Sequence, residues 1–183
     1  MAKQNNTKVV TGIVRLSYAN IWEPKAPLGG GDARYSCSLI IPKSDKETVD
    51  AINAAIECAI QEGVGKYGGK IPNRTQLKLP LRDGDLERED DAYKGCWYIN
   101  ANSTTKPGVV DADRQPIIET SELYSGIIGR ASITLYAFNT NGNKGIAAGL
   151  NNLQKLSDGT PLGGHSRAED DFADLDYEDD CLD

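Results

Sequence analysis

Apolar and polar residues alternate along much of this chain, a period of two that is typical of strands with one buried face. The alternation predicts six strands, over residues 9–18, 33–41, 74–81, 96–101, 130–138 and 144–150. In the first of them Val10, Val14 and Leu16 form the apolar face. Asn141 and Gly142 separate the last two, and this dipeptide favours the tight turn of a β-hairpin. The pattern therefore indicates a mostly β protein.

Residues 45–62 have the period of a helix instead. Ser44 and Glu47 have the spacing of a capping box, and Gly63 is expected to end the helix. The apolar stripe that the helix would bury consists of Val49, Ile52, Ile56, Ala59 and Ile60. Five or six strands with one main helix fit a small antiparallel β-barrel of the α+β class.

The chain of 183 residues is long enough for one domain with a substantial core. We expect a flexible N-terminus at residues 1–7, a single domain at 8–156, a Gly-rich linker at 157–167 and a disordered acidic tail at 168–183. No apolar run approaches the length of a membrane span, and the N-terminus lacks the apolar core of a signal peptide. The sequence thus predicts a soluble cytoplasmic protein.

Charge is distributed unevenly along the chain. The net charge is −7, but nine of the 27 acidic residues follow Ala168, and the remaining 18 face 20 basic residues. The body therefore carries about +2 and the tail −9. Apolar side chains alternate with the acids of the tail, namely Phe172, Leu175, Tyr177 and Leu182. A purely solubilising tail would not need them, so we favour a tail that mimics nucleic acid and competes with it for the body.

Enzymatic chemistry has little support in the sequence. The single histidine, His165, lies in a Gly-rich stretch that does not fix its geometry, and no nucleophile has an adjacent base held by a third group. The four cysteines form no CxxC pair, so we expect reduced thiols, mostly buried, and no zinc site or disulfide framework; they are Cys37, Cys58, Cys96 and Cys181. We expect no catalytic residues and no cofactor.

Two pairs of carboxylates keep a metal-dependent alternative open. Asp83 with Asp85, and Asp111 with Asp113, supply the hard oxygen ligands that magnesium prefers. Both pairs lie in turn-like contexts, so we expect no metal site. A magnesium-dependent nuclease remains the third hypothesis, behind the two weighed below.

A basic stripe is the main candidate for nucleic-acid binding. Residues 63–82 contain five basic residues and no acidic one. If residues 74–82 form a strand, Leu77, Leu79 and Leu81 lie on one face and the cations on the other. Cations spaced along a groove neutralise successive phosphates of a single strand. The alternative is a solvated sheet edge whose charges prevent aggregation.

Aromatic side chains would supply base stacking next to these cations. Trp22 and Tyr67 are predicted in loops, and Tyr136 is on the polar face of the 130–138 strand, whereas Trp97 fits the core equally well. The predicted DNA-binding residues are Trp22, Lys66, Tyr67, Lys70, Arg74, Lys78, Arg82, Lys94, Trp97, Lys106, Arg130 and Tyr136.

Several motifs resemble a family of tailed-phage single-stranded DNA-binding proteins. The most specific runs from Ile146 to Lys155 as IAAGLNNLQK and continues with Asp158-Gly159 and Leu162-Gly163-Gly164. Upstream motifs occur in the same order as in that family, namely Ile40-Ile41-Pro42-Lys43, Lys106-Pro107-Gly108-Val109-Val110-Asp111 and Glu122-Leu123-Tyr124-Ser125-Gly126. The resemblance implies an OB-fold core, coating of single-stranded DNA in phage replication or recombination, and an acidic tail that moderates binding.

The leading hypothesis is therefore sequence-tolerant coating of single-stranded DNA without chemistry, in the cytoplasm of a bacterial host. The tail would modulate binding and recruit phage or host replication proteins. The resemblance also implies a homodimer or higher self-association. The main alternative is a virion or assembly protein without DNA affinity.

Overall fold

The computed structural model describes residues 6–26 and 29–162. The principal helix, α1, spans Lys46–Glu62, and a single turn, α2, spans Gly84–Glu87. Four short 3₁₀ turns lie in the connections. The strands are β1 Lys8–Val10, β2 Val14–Lys25, β3 Arg34–Pro42, β4 Leu81–Asp83, β5 Cys96–Ser103, β6 Gly108–Val110, β7 Ile128–Thr140 and β8 Asn143–Ser157.

Five of the strands close into a barrel. The sheet runs β7, β2, β3, β5, β8, and β8 pairs again with β7 along the whole hairpin that joins them. All of these pairings are antiparallel except the one between β5 and β8. A five-stranded Greek-key barrel of this kind is the OB-fold. The predicted mostly β, OB-like fold with one main helix is confirmed.

The barrel interior is filled by the alternate residues of each strand. In β3, for example, Cys37, Leu39 and Ile41 are all at most 1% exposed. Helix α1 packs mainly against β7 and buries the predicted stripe, including Ile52, Ile56 and Ile60. The residues between these inward positions form the outer face of the barrel, which other segments cover at Ser38, Ile40 and Tyr98 and leave open elsewhere.

The helix begins with a different cap from the one predicted. Asp45, not Ser44, is the N-cap, and its carboxylate accepts hydrogen bonds from the Thr48 amide at 3.2 Å and the Thr48 hydroxyl at 2.6 Å. The Thr48 hydroxyl in turn accepts from the Gly12 amide at 2.9 Å. A carboxylate at this position also favours the positive end of the helix dipole.

The predicted first strand is two strands. Thr11 interrupts it: its hydroxyl accepts the Ala131 amide at 3.0 Å and donates to the Gly12 carbonyl at 2.9 Å. Because β1 pairs with β7 on its own, Val9 points inward and Val10 is 56% exposed, opposite to the predicted face. The Asn141-Gly142 turn is confirmed, with φ of 51° and 86° at the two residues.

The predicted strand over residues 74–81 is wrong. Arg74–Gln76 is a 3₁₀ turn, and β4 begins only at Leu81. The apolar alternation is nonetheless real, since Leu77 is buried and Leu79 and Leu81 pack against the core. Pro80 has no amide hydrogen to donate to a neighbouring strand, which disfavours a regular strand here in spite of the alternation.

The described part of the predicted linker, up to Leu162, follows the surface of the body. The Tyr124 hydroxyl bonds to Asp158 and Gly159, Arg15 donates to the Thr160 carbonyl at 2.6 Å, and the Leu162 amide donates to Ser125. The rest of the linker and the acidic tail, residues 163–183, lie outside the described residues, as do residues 1–5. Among the described helices, none has the length and hydropathy to cross a membrane.

Candidate nucleic-acid interface

A row of small residues, four of them polar and one a glycine, crosses the outer face of the barrel. The strand register places Ser36 of β3 beside Asn102 of β5, Asn102 beside Gly149 of β8, and Gly149 beside Thr134 of β7. Asn20 of β2 extends the row past Ser36. We call these five residues the polar row. Its four inter-strand steps of about 4.8 Å span roughly 19 Å.

Tyr136 stands at one end of the polar row. It is 38% exposed on β7, and its ring lies close to Gly149, where an added Cβ would be 3.6 Å from a ring carbon. Since Gly149 has no side chain, a flat ligand can approach both the backbone of β8 and the ring of Tyr136. The polar face predicted for residues 130–138 is confirmed, with Ala131, Ile133, Leu135 and Ala137 buried on the opposite face.

Cations flank the polar row. Arg34 donates from Nη1 to Asn102 Oδ1 at 3.3 Å. Lys78 is exposed, and its amide donates to the Lys144 carbonyl at 3.0 Å, which places both lysines at the tip of the β7–β8 hairpin. In OB-folds the face of barrel strands two and three, here β3 and β5, and the loop between strands four and five commonly bind oligonucleotides. The polar row and these cations occupy that surface.

The predicted basic stripe does not form one line. Arg74 pairs with Glu57 of α1, and Arg82 pairs with Glu87 at 2.9 Å. Lys66 donates to the Ala137 carbonyl at 3.0 Å near the end of β7, while Lys70 is exposed beyond a pair of glycines. The five cations therefore point to different surroundings, because the turns between them rotate the chain.

Tyr67 is not available for stacking. It is 4% exposed, and its hydroxyl donates to the Gly145 carbonyl at 2.7 Å. Burial raises the pKa of this phenol. The cations beside it in sequence, Lys66 and Lys70, suggested a groove, but the ring fills the space between the end of α1 and the hairpin.

The two tryptophans occupy different places. Trp22 is half-buried, donates from Nε1 to the Leu123 carbonyl at 3.2 Å, and has Lys106 Nζ 5.3 Å from its ring centroid. This brings together two predicted residues that are distant in sequence. Trp97 faces the core side of β5 beside Leu79 and Leu81, with Lys43 Nζ 5.3 Å from its ring.

The remaining predicted cations are engaged with the protein itself. Lys94 pairs with Asp91 at 2.8 Å, which raises the lysine pKa and lowers that of the carboxyl. Arg130 is half-buried and donates from Nε to the Thr11 carbonyl at 3.0 Å, near β1. Neither side chain adjoins the polar row.

The sequence analysis missed a cluster of tyrosines around Arg88. The guanidinium carbon lies 5.1, 4.7 and 5.9 Å from the ring centroids of Tyr18, Tyr93 and Tyr98. Arg88 Nη2 also donates to the Tyr18 hydroxyl at 2.7 Å. Tyr93 and Tyr98 are buried, but Tyr18 is 57% exposed with a φ of 47°. In the sequence, one signal indicates that the Tyr98 ring faces outward: Tyr98 is next to Ile99 in a predicted strand, and successive residues of a strand point to opposite faces.

The carboxylates considered as metal ligands bind a lysine. Lys43 Nζ is 2.8 Å from both Asp83 Oδ1 and Asp85 Oδ2, and Asp85 also accepts the Gly95 amide at 2.9 Å. These contacts raise the pKa of Lys43 and lower that of Asp85. Asp111 accepts the amides of two residues within its own turn. Within residues 6–26 and 29–162, no three His, Cys, Asp or Glu side chains are grouped so as to hold a metal.

The three described cysteines are free thiols. Cys37 is buried, which raises its pKa to about 12, whereas Cys58 and Cys96 are half-buried. A thiol with so high a pKa is not a nucleophile at neutral pH. Cys181 lies outside the described residues.

The chain is similar in sequence to known phage proteins over nearly its whole length. The model of the family described as the single-stranded DNA-binding protein of Enterobacter phage Enc34 matches residues 7–182. Protein p50 of Acyrthosiphon pisum secondary endosymbiont phage 1 is 32% identical over 181 residues, covering 92% of this chain and 94% of that protein.

Solved structures extend the likeness to three dimensions. The Enc34 protein in complex with single-stranded DNA superposes with a TM-score of 0.76 at 25% identity, covering 86% of this chain and 90% of that one. The crystal structure of gp2.5, a single-stranded DNA-binding protein encoded by bacteriophage T7, shares the fold with a TM-score of 0.61 at 19% identity, over 90% and 91% of the two chains. Both solved proteins are described as single-stranded DNA-binding proteins. The chain belongs to the family of phage single-stranded DNA-binding proteins represented by that of Enc34.

Proposed function

We propose that this protein coats single-stranded DNA without chemistry and without strong sequence preference, holding the strand along the polar row. The observation that carries the proposal is the row itself: it crosses all five barrel strands, is free of bulky side chains, and has an exposed ring at one end. A DNA strand laid across the sheet would meet small polar groups on β3 and β5 and the ring of Tyr136 on β7.

Sequence tolerance follows from the chemistry of these side chains. An asparagine amide donates and accepts, so Asn20 and Asn102 can bond to any base. Stacking on tyrosine is equally tolerant, because every base has a π-face. Arg34, Lys78 and Lys144 lie where they can neutralise phosphates, which makes binding salt-dependent.

The acidic tail would oppose this binding. Its nine carboxylates are tethered to a body of about +2, at an effective concentration of order millimolar. The chain leaves the described body at Leu162, which is anchored to Ser125 close to the exposed Tyr18. A tail that starts there can reach the outer face of the barrel and compete with DNA. The same acids and interspersed aromatics would recruit replication proteins.

We place the activity in phage DNA replication or recombination, in the cytoplasm of the bacterial host. Membership in a family of phage proteins supports this setting. Self-association is also part of the proposal. Strands β1 and β6 end the sheet, and Val10 on β1 is 56% exposed, so a second copy has an edge to pair with.

The proposal is tested by fluorescence anisotropy of a labelled oligo-thymidine at several salt concentrations. We expect a log–log slope of about −0.7 for each phosphate neutralised. We also expect a chain that ends at Arg167 to bind more tightly than the full chain, and the gain to shrink as salt rises. Failure of both chains to bind at low salt would instead favour the virion or assembly protein.

A further inference from the structure

A pocket of about 570 Å³ opens beside the exposed ring of Tyr18. Its walls are mostly apolar and include the rings of Tyr18 and Tyr93 together with Ala92 and Leu162. Pockets of roughly 300–1,000 Å³ with apolar walls and few polar groups are typical of small-molecule sites. A single nucleobase fits such a space comfortably.

The pocket adjoins the polar row. Asn20, the member of the row on β2, donates from Nδ2 to the Tyr18 carbonyl at 3.2 Å and to Ser36 Oγ at 3.3 Å. The register between β2 and β3 shifts between Ser17 and Asn20, and Tyr18 has a φ of 47° inside this irregularity. The bulge turns the Tyr18 side chain outward at the point where a strand following the row would leave the sheet.

The charged side chains in the pocket lining are two carboxylates, Asp90 and Asp91, beside the polar Ser17 and Ser125. Asp90 accepts from Arg88 Nη2 at 3.0 Å, and Asp91 pairs with Lys94 at 2.8 Å. A carboxylate has about four lone-pair positions, so each keeps accepting capacity after these contacts. Each carboxylate is paired with a cation, and the amino group of a base can donate to the lone pairs that remain free.

We propose that this pocket receives one unstacked base of the bound strand and prefers a base with an exocyclic amino group. The assignment rests on the proposed binding of a DNA strand along the polar row. Tyr18 would stack on the base, and Asp90 or Asp91 would accept from its amino group. Thymine presents a carbonyl oxygen where cytosine presents its amino group, so it would gain the stacking contact but not the hydrogen bond.

Photo-crosslinking tests where the base lies. Oligo-deoxycytidine carrying 5-iodocytosine would be irradiated in complex with the full chain, and the modified peptides mapped by mass spectrometry. We expect crosslinks at Tyr18 or Tyr93. Crosslinks confined to other parts of a protein that binds the oligomer would overturn the pocket while leaving DNA binding intact. Absence of any binding in anisotropy would overturn DNA binding and the pocket together.

Base preference tests the chemistry. We expect oligo-deoxycytidine to bind about fivefold or more tightly than oligo-thymidine of the same length. Tyr18→Phe keeps the ring and should keep this ratio, whereas Tyr18→Leu should weaken binding of both oligomers by about fivefold or more. Asp90→Asn should bring the ratio towards one, and Asp113→Asn, an exposed carboxylate in a distant turn, should not.

Circular dichroism and thermal melting of each variant separate folding from binding. If folded Tyr18→Leu binds both oligomers like the original chain, the pocket does not hold a base. A ratio that is unchanged in Asp90→Asn and in a doubly substituted Asp90→Asn, Asp91→Asn chain would contradict the preference for an amino group.

Discussion

Tyr136 carries its ring on the open side of β7, where the neighbouring strand offers only Ala147 and Gly149. Loss of a stacked ring lowers affinity by about 1–3 kcal/mol per base. We therefore expect Tyr136→Leu to weaken binding of oligo-thymidine by about fivefold or more, measured by anisotropy. Tyr136→Phe keeps the ring and should bind normally. Equal loss in both variants would show that the hydroxyl, and not stacking, matters.

Substitution of Tyr67, in contrast, should change the stability of the protein and not its affinity for DNA. The Tyr67 hydroxyl makes a buried hydrogen bond to the Gly145 carbonyl, and such bonds contribute roughly 0.5–1.5 kcal/mol to stability. We expect Tyr67→Phe to lower the free energy of unfolding in urea by about 1 kcal/mol and to leave DNA affinity unchanged. A clear loss of affinity in a normally folded variant would return this ring to the binding surface.

The contrast between these two tyrosines shows what residue types in sequence can and cannot reveal. Tyr136 lies in a long alternating strand, where parity assigns its face, and the structure confirms that assignment. Tyr67 lies between turns, where no period exists, so the adjacent lysines alone suggested exposure. The Arg88 cluster was missed for a related reason: its rings come from three separate segments that only the barrel brings together.

At the scale of elements, the segment around α2 covers part of the outer face of β3 and β5. Tyr93 is buried there, and its hydroxyl donates to Ser38 of β3 at 3.3 Å. Gly84 lies directly beneath the carbonyls of Tyr93 and Cys96, where no side chain would fit. Lys43 and Asp85 fasten the segment to the end of β3. The polar row therefore lies on the part of β3 and β5 that this segment leaves uncovered.

The stabilisation that the Lys43–Asp85 ion pair contributes should depend on pH. The pKa of Asp85 is lowered by its hydrogen bond to Lys43, so the stabilisation is fully present above the ordinary value of 3.8 and is lost as pH falls through the lower value of the folded state. We expect the urea midpoint of unfolding to fall as the pH is lowered below 3.8, the ordinary pKa of this carboxyl. Asp85→Asn should start from a lower midpoint at neutral pH and fall less steeply. If the urea midpoints of the original chain and of Asp85→Asn fell equally with pH, this role of Asp85 would be contradicted.

Elements with a strong period were predictable from sequence, whereas their interruptions were not. Helix α1 and the β7–β8 hairpin lie where the apolar pattern and the Asn141-Gly142 turn place them. The break at Thr11 depends on hydrogen bonds to Ala131, 120 positions away, which no local pattern contains. Apolar and polar residues alternate in the 74–81 segment because its leucines pack on the core, but few of its residues pair with a neighbouring strand.

At the scale of the whole molecule, the fold brings the cations of distant segments to both sides of the polar row and places the end of the described chain near Tyr18. Arg34 follows the β2–β3 connection, while Lys78 and Lys144 meet at the hairpin tip. The average charge of −7 conceals this arrangement, because the tail contributes more negative charge than the body contributes positive charge. The proposed competition between tail and DNA would therefore be a property of the full chain.

The most direct test of the central claim is a charge placed in the middle of the polar row. Gly149 has an ordinary φ, and an added Cβ would meet only van der Waals contacts at 3.5 Å or more, so Gly149→Asp should fold. Asn152→Asp introduces the same charge on the same strand but off the row. Measured by anisotropy with oligo-thymidine, Gly149→Asp should bind about tenfold or more weakly than Asn152→Asp, a difference of about 1.4 kcal/mol. Equal affinities of the two folded variants would contradict binding along the polar row.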